Sequence, residues 1–236
     1  MIKGLIFDYG GTLDSRGVHW SEVIWNAYRD EQVPIDKDTF RDAYVYAERE
    51  LARIRHIHPE DDFYTLLLKK MTLELQWLEE HGHDLRQQPL LLAKLLATRC
   101  DRAARQCLEE ARPVLNTLAQ RFPMMLVSNF YGNIDTVLRA YNVRHYFKGI
   151  IESAVVGVRK PNPTLFRLGV DALELRPDEV LVVGDSLKKD ILPAIELGCQ
   201  AVWLKGKGWT PDEDAQLHPQ GDRFTITRLT ELLDII

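Results

Sequence analysis

The chain opens MIKGLIFDYGGTLDSRG (1–17), and the stretch that decides its fold is GLIFDYGG, Gly4 to Gly11. A short apolar run there ends at an aspartate, Asp8, followed closely by two glycines. Two more runs share this grammar: MMLVSNFYG at 124–132 and VLVVGDSLKKD at 180–190. Apolar residues without alternation, running straight into small and polar ones, suit central strands of a parallel sheet covered on both faces by helices. Between and after the second and third runs, the sequence predicts a helix around Ile134 to Ala140, a strand from Gly149 to Glu152, a helix in PTLFRLGVDALEL, another in KKDILPAIELG, and a strand in AVWLK. This alternation predicts an α/β fold, a Rossmann-like doubly wound parallel sheet, whose ligands sit at the carboxyl ends of the strands. Asp8, Ser128 and Asp185 all point there.

The residues between the first two runs read differently. WSEVIWNAYRDEQV, DTFRDAYVYAERELARI, FYTLLLKKMTLELQWLEEHG and LLLAKLLATRCDRAARQCLEEARPVLNTLAQR carry apolar residues at three- and four-residue intervals, the period of amphipathic helices, with Pro34 and Gly82 as breaks. They predict an all-helical unit inserted after the first strand, at 16–100, within an α/β core made of 1–15 and 101–236. Placed just after Asp8, the insertion is a natural lid.

Composition narrows the functions open to the chain. With 236 residues, 45% apolar and 28% charged, it has ordinary globular composition, enough for one substantial core with an appended unit. Thirty basic against 35 acidic residues give a net charge of -5, which argues against nucleic acid as a partner. The apolar run Leu5–Phe7 is too short for a signal peptide or a bilayer span, so no membrane partner and a cytoplasmic location are expected. Cys100, Cys107 and Cys199 lack metal-ligand spacing and read as buried reduced thiols.

Four short motifs, in order along the chain, carry a resemblance: Asp8-Tyr9-Gly10-Gly11-Thr12 after the first strand, Ser128-Asn129 after MMLV, Lys160 in RKPNP, and Gly184-Asp185-Ser186 followed by Asp190. Together they resemble the haloacid dehalogenase superfamily, whose first motif is Asp-x-Asp-Gly-Thr. The resemblance implies a magnesium-dependent hydrolase, most simply a phosphatase acting on a small phosphorylated metabolite. Phosphoryl transfer needs a nucleophile, compensation of charge on the equatorial oxygens, and a metal between phosphate and carboxylate. By resemblance Asp8 is the nucleophile that forms an aspartyl phosphate. Ser128, Asn129 and Lys160 serve the phosphoryl group, with Gly11 and Thr12 close to it. Asp8, the Gly10 carbonyl, Asp185 and Asp190 hold Mg²⁺, a hard ion that prefers oxygen ligands.

One position departs from that pattern. Phosphatases of the superfamily carry a general acid two residues after the nucleophile, where this chain has Gly10. Losing such a group typically costs about 10²–10⁴ in rate, most for poor leaving groups. Asp14 lies six residues after Asp8, beyond the turn, and Glu22, Asp61 or Asp62 of the lid are candidates to supply a proton. Other chemistries of the superfamily remain open. Dehalogenases carry Tyr at this position and need no metal; phosphonatases carry Ala and a lid lysine, for which Lys37, Lys69 and Lys70 are available; a weakly catalytic phosphate-binding protein would also fit Gly10. His56, His58, His81 and His83 read as surface or packing residues. The aromatics Trp20, Trp25, Tyr28, Tyr44, Tyr46, Phe63, Tyr64 and Trp77 are expected to pack the lid internally, with one or two at the entrance.

Overall fold

The computed structural model describes residues 1–210, 212 and 224–236. Six parallel strands make one sheet: β1 (Gly4–Phe7), β2 (Met124–Ser128), β3 (Gly149–Glu152), β4 (Val180–Gly184), β5 (Gln200–Leu204) and β6 (Phe224–Ile226), in the order β3-β2-β1-β4-β5-β6. Successive side chains of each strand serve opposite faces. Leu5, Phe7, Leu126, Leu181 and Val183 join one apolar cluster, while Ile6, Met125, Val127, Val180 and Val182 join the other. Both faces are covered, which is why these strands read as unbroken apolar runs rather than as alternating ones. The short β6 follows AVWLK and had no counterpart in the sequence reading.

Register sets the depth of the site. Phe7 pairs with Leu126 on one side and Val183 on the other, and the Asp8 amide donates to the Val183 carbonyl at 3.0 Å. Asp8, Ser128 and Asp185 therefore emerge together at the carboxyl edge. There the chain runs to β2 and β3 on one side of β1 and to β4, β5 and β6 on the other, so the site lies at a topological switch point.

Four helices fill the interval between β1 and β2: α1 (Trp20–Asp30), α2 (Lys37–Arg53), α3 (Phe63–Glu80) and α4 (Pro89–Ala119). Asp36 and Asp62 cap α2 and α3 by accepting from the amides of Thr39 and Thr65, each at 2.8 Å, and His19 caps α1 through Nδ1. Pro34 lies between α1 and α2, and Gly82 follows α3 with φ near +80°. Because α4 is a continuous 31-residue helix, the boundary expected at 100 falls in its middle rather than between elements. Its apolar stripe runs unbroken from Leu92 past Cys100 to Leu118, so one rod serves both the inserted helices and the sheet.

Beyond β2 come α5 (Ile134–Ala140), α6 (Ser153–Val156), α7 (Thr164–Ala172) and α8 (Leu192–Glu196). The helix expected in KKDILPAIELG is preceded by a wide turn over Leu187–Ile191, in which the Ser186 carbonyl accepts from Asp190 N at 2.8 Å and Ile191 N at 3.2 Å. Pro193 then occupies the first turn of α8, where its missing N–H costs nothing.

Loops at the carboxyl edge grip the inserted helices from two sides. Asn133 Nδ2 donates to the Asp61 carbonyl at 2.9 Å and Thr136 Oγ1 to the Pro59 carbonyl at 2.6 Å. Across the edge, the His19 amide donates to the Lys207 carbonyl at 2.8 Å, and the rings of Tyr44 and Trp209 meet at 5.1 Å. Among the described residues, no helix is long and apolar enough to cross a membrane.

Candidate active site

Asp8 is buried at the floor of a cavity of about 550 Å³ between the sheet edge and the inserted helices. Its Oδ1 accepts from Lys160 Nζ at 2.5 Å and from Ser128 Oγ at 3.0 Å. The Thr12 hydroxyl lies 3.2 Å from Asp8 Oδ2 and 3.0 Å from Asp185 Oδ1, and its single proton can serve only one of them at a time. Lys160 also reaches Asp190 Oδ1 at 2.6 Å and the Val127 carbonyl at 3.3 Å. Burial alone would lower the lysine's pKa, but Asp190 and Asp8 outweigh it and hold the ammonium charged.

Asn129 lines the cavity and is also bonded to the Lys160 backbone. Its Oδ1 accepts from the Lys160 amide at 2.8 Å and its Nδ2 donates to the Lys160 carbonyl at 3.0 Å. One bond at each polar end fixes the lysine's backbone, and the side chain keeps a second N–H at the cavity it lines. Two glycines let the acids approach. A Cβ on Gly11, whose φ is near +101°, would lie 2.3 Å from Asp185 Oδ2, and one on Gly184 would lie 2.4 Å from the Asp190 Cβ. Gly10 is different. A Cβ there would meet nothing nearer than Trp20 Cδ1 at 4.0 Å, so neither packing nor backbone conformation demands glycine.

Asp8, Asp185 and Asp190 can each offer one oxygen, all within 4.8 Å of one another. Three carboxylates face the one Lys160 ammonium. Burial pushes Asp185 well up, with the charges of Asp190 and Asp8 adding to it; burial also pushes Asp190 up, against the pull of Lys160. Hard oxygen donors with uncompensated negative charge fit a divalent cation. The Gly10 carbonyl accepts no hydrogen bond from the described residues and lies at the same cavity. Asp190 is already engaged through both oxygens, its Oδ2 accepting from the Ser186 amide at 3.0 Å.

None of the acids weighed as a stand-in for a side chain at position 10 lines the cavity. Asp14 is buried behind it, accepting from the Gly11 amide at 2.8 Å and Trp20 Nε1 at 2.9 Å, and burial pushes it up to about 7. Glu22 pairs with Lys37 and Lys207, Asp61 pairs with Lys69, and Asp62 caps α3. Of the three lid lysines, only Lys70 reaches the cavity. Of the aromatics expected to pack the lid, Trp20, Tyr44 and Phe63 line it, the rings of Trp20 and Phe63 5.1 Å apart.

The sequence reading passed over several cavity residues. His19 is one: burial, with Lys189 and Lys70 adding to it, lowers its pKa to about 4, so it is neutral at pH 7. Glu48 and Tyr131 are others. A charge on the buried stripe of α2 was the available signal for Glu48. The three cysteines are free and buried, and burial raises the Cys107 and Cys199 thiols to about 11.

An aspartate at the end of β1, a lysine ion-paired to it, a hydroxyl on the same oxygen and an acidic cluster alongside meet at the carboxyl edge of an α/β sheet. The chain belongs to the haloacid dehalogenase-like hydrolase family, which it matches over residues 2–198. Among curated relatives, it is 33% identical over 91 residues to a glyceraldehyde 3-phosphate phosphatase of Pyrococcus furiosus, covering 39% of this chain and 37% of that protein. It is 39% identical over 75 residues to a phosphoserine phosphatase of Thermus thermophilus, covering 32% of this chain and 29% of that protein. To the 5-amino-6-(5-phospho-D-ribitylamino)uracil phosphatase YigB of Escherichia coli it is 28% identical over 130 residues, covering 54% and 52%. The matches thus span about half the length of these relatives or less. Among solved structures, the HAD-hydrolase YfnB of Bacillus subtilis, solved with magnesium bound, superposes with a TM-score of 0.61 at 20% identity, covering 99% of this chain and 98% of that one. A dehalogenase with an intermediate complex gives 0.65 at 16% identity, covering 100% and 97%. Those two likenesses speak for the fold.

Proposed function

We propose that the protein is a Mg²⁺-dependent phosphatase acting on a small phosphorylated metabolite through an aspartyl phosphate at Asp8. The observation that carries this reading is the Asp8 carboxylate at the cavity floor, bound on one oxygen by Lys160 and Ser128 and flanked by Asp185 and Asp190. The α1–α3 helices, with the first half of α4, act as its cap.

Asp8 Oδ2, whose hydrogen-bond partner among the described residues is Thr12, attacks phosphorus as the bond to the leaving oxygen breaks. Water then attacks the phosphorus of the aspartyl phosphate and returns the carboxylate. Lys160 and Ser128 stabilise negative charge on the transferring group, and Asn129 keeps the lysine backbone in place. The residues that would hold Mg²⁺ are Asp8, Asp185, Asp190 and the Gly10 carbonyl; bound there, the ion offsets repulsion between phosphate and Asp8. Gly11 and Thr12 shape the loop around the phosphate, and no side chain of the motif protonates the leaving group.

Gly10 gives the slow-turnover reading its weight, while the phosphonatase reading loses ground at Lys70. That lysine is ion-paired to Glu48, and although burial pulls its pKa down, Glu48 holds it raised and protonated. A protonated amine cannot attack a carbonyl. Purified protein assayed with acetyl phosphate and p-nitrophenyl phosphate, with Mg²⁺ and with EDTA, tests the proposal. Metal-dependent phosphate release that Asp8→Asn abolishes is the expected result; metal-independent release, or none, contradicts it.

A further inference from the structure

The cavity has a second polar surface, remote in sequence from every motif residue except Ser128 and Asn129. Glu48 of α2, Lys70 of α3 and Tyr131 of the loop after β2 all line it. Glu48 Oε1 accepts from Tyr131 OH at 2.9 Å and is ion-paired with Lys70. Lys70 is 4% exposed, and its Nζ lies 4.0 Å above the Tyr44 ring. Around this group the wall is apolar or aromatic, with Ile24, Leu51, Leu66, Leu67 and Phe63.

The Glu48 side chain is 36% exposed, so the buried partner is the ammonium; burying it in such a wall is costly, and an apolar residue of equal volume would pack the cap at least as well. Packing therefore gives no account of why Glu48, Lys70 and Tyr131 stand together facing the cavity. We propose that they form the subsite for the non-reacting part of the substrate, and that it selects phosphate esters of neutral, hydroxylated compounds. This rests on the phosphatase reading above and adds the substrate class.

The choice of class follows from charge. Glu48 and Lys70 cancel each other, so a carboxylate entering here meets Glu48 and an ammonium meets Lys70. A hydroxyl can donate to the carboxylate and accept from the phenol or the ammonium without separating the pair. The other cations lining the cavity, Arg159, Lys188 and Lys189, have no ion pair among the described residues and adjoin Lys160 and the Asp185 loop in the chain. They belong to the phosphate end. Burial would raise the Glu48 carboxyl, but Lys70 and Tyr131 outweigh it and keep it ionised, so the acceptor is present at neutral pH.

The test measures D-ribitol 5-phosphate and n-pentyl phosphate as competitors of acetyl phosphate hydrolysis. Both probes carry the same primary alkoxide leaving group, so Gly10 weighs on them equally. Their inhibition constants are readable whether or not they turn over. In the wild type, ribitol 5-phosphate should bind at least about tenfold tighter than pentyl phosphate. Tyr131→Phe, which removes one hydroxyl and keeps the ring, should cut that ratio by about tenfold, and Glu48→Gln by as much or more. Near-ultraviolet circular dichroism establishes that each variant is folded. A ratio that stays constant in both variants overturns the inference and makes the Tyr131–Glu48 bond a latch between cap and core. Tighter binding of the carboxylate 5-phospho-D-ribonate than of ribitol 5-phosphate overturns the neutral class. Absence of acetyl phosphate hydrolysis in the wild type overturns the phosphatase reading itself, and the inference with it.

Discussion

At the floor of the cavity, Asp8, Ser128 and Asp185 stand at or just beyond the ends of β1, β2 and β4, whereas on its wall Glu48 and Lys70 stand in the middle of α2 and α3. The floor is set by backbone register and tolerates almost no change of shape: methyl groups on Gly11 and Gly184 would collide with Asp185 and Asp190. Where its acids meet it is also unbalanced in charge, three carboxylates clustering about the Lys160 ammonium. The wall is set by helix rotation and by the Tyr131 hydrogen bond from the core, and the charges of Glu48 and Lys70 cancel. A floor fixed by strands and short of positive charge suits one invariant group, a metal-bound phosphate. A wall assembled from helix faces can be varied without moving the floor, which is where discrimination between substrates is expected.

That contrast can be broken most forcefully at Asp8, the proposed nucleophile. Asp8→Asn should lower phosphate release by on the order of 10⁴-fold or more, with circular dichroism unchanged. Retention of activity would remove Asp8 from the chemistry. Next comes the charge balance of the floor. Lys160→Met leaves Asp8, Asp185 and Asp190 without their ammonium and should cost about 3 kcal/mol in urea unfolding, part of it recovered on adding Mg²⁺. A variant as stable as wild type without metal would mean that the carboxylates are not ionised together.

The position between floor and wall gives a third handle. A side chain at position 10 meets only Trp20 Cδ1 at 4.0 Å, so Gly10→Asp should be accommodated. It should raise turnover of alkyl phosphates relative to aryl phosphates by about 10²-fold. An equal change in both classes would place the added carboxylate out of reach of the leaving oxygen.

The smallest effect belongs to the cap interior behind Lys70. Glu74 is fully buried, its Oε2 accepting from Tyr28 OH at 3.0 Å and its Oε1 without a partner among the described residues, and burial pushes its pKa up to about 7. A carboxyl raised on folding favours the native state while protonated. That contribution is complete below the unfolded value near 4.5 and is lost as pH rises to about 7. Glu74→Gln keeps an acceptor for Tyr28 and removes the charge, so it should stabilise the protein by about 1 kcal/mol at pH 8 and by nothing near pH 4. Thermal melts at the two pH values check the sign; equal effects at both would contradict it.

Much of the floor was legible in the sequence because its residues sit beside strand ends, where an apolar run stopping at a polar residue is a local signal. Asp8, Ser128, Asp185 and Lys160 converge in space although 120 to 177 residues of chain separate the later ones from Asp8. The role of Asn129 was not legible, because its two bonds to the Lys160 backbone depend on how two loops meet. The wall was least legible of all. Glu48 and Lys70 are ordinary helix charges until the inserted helices pack, and Tyr131 reaches Glu48 across the gap between units. Asp14 illustrates the limit from the other side: close to Asp8 in sequence, it is turned away behind Gly11 and Trp20. The continuous α4 could be read as one helix from its period, but where the insertion ends along it could not.

The most direct test of the central claim is to quench the protein in acid during turnover of acetyl phosphate with Mg²⁺, digest it, and locate any phosphoryl group by mass spectrometry. Phosphate is expected on the peptide carrying Asp8, accumulating because Gly10 leaves hydrolysis of the intermediate slow, and absent in Asp8→Asn. Turnover with no phosphorylated peptide, or with phosphate on another residue, would contradict it.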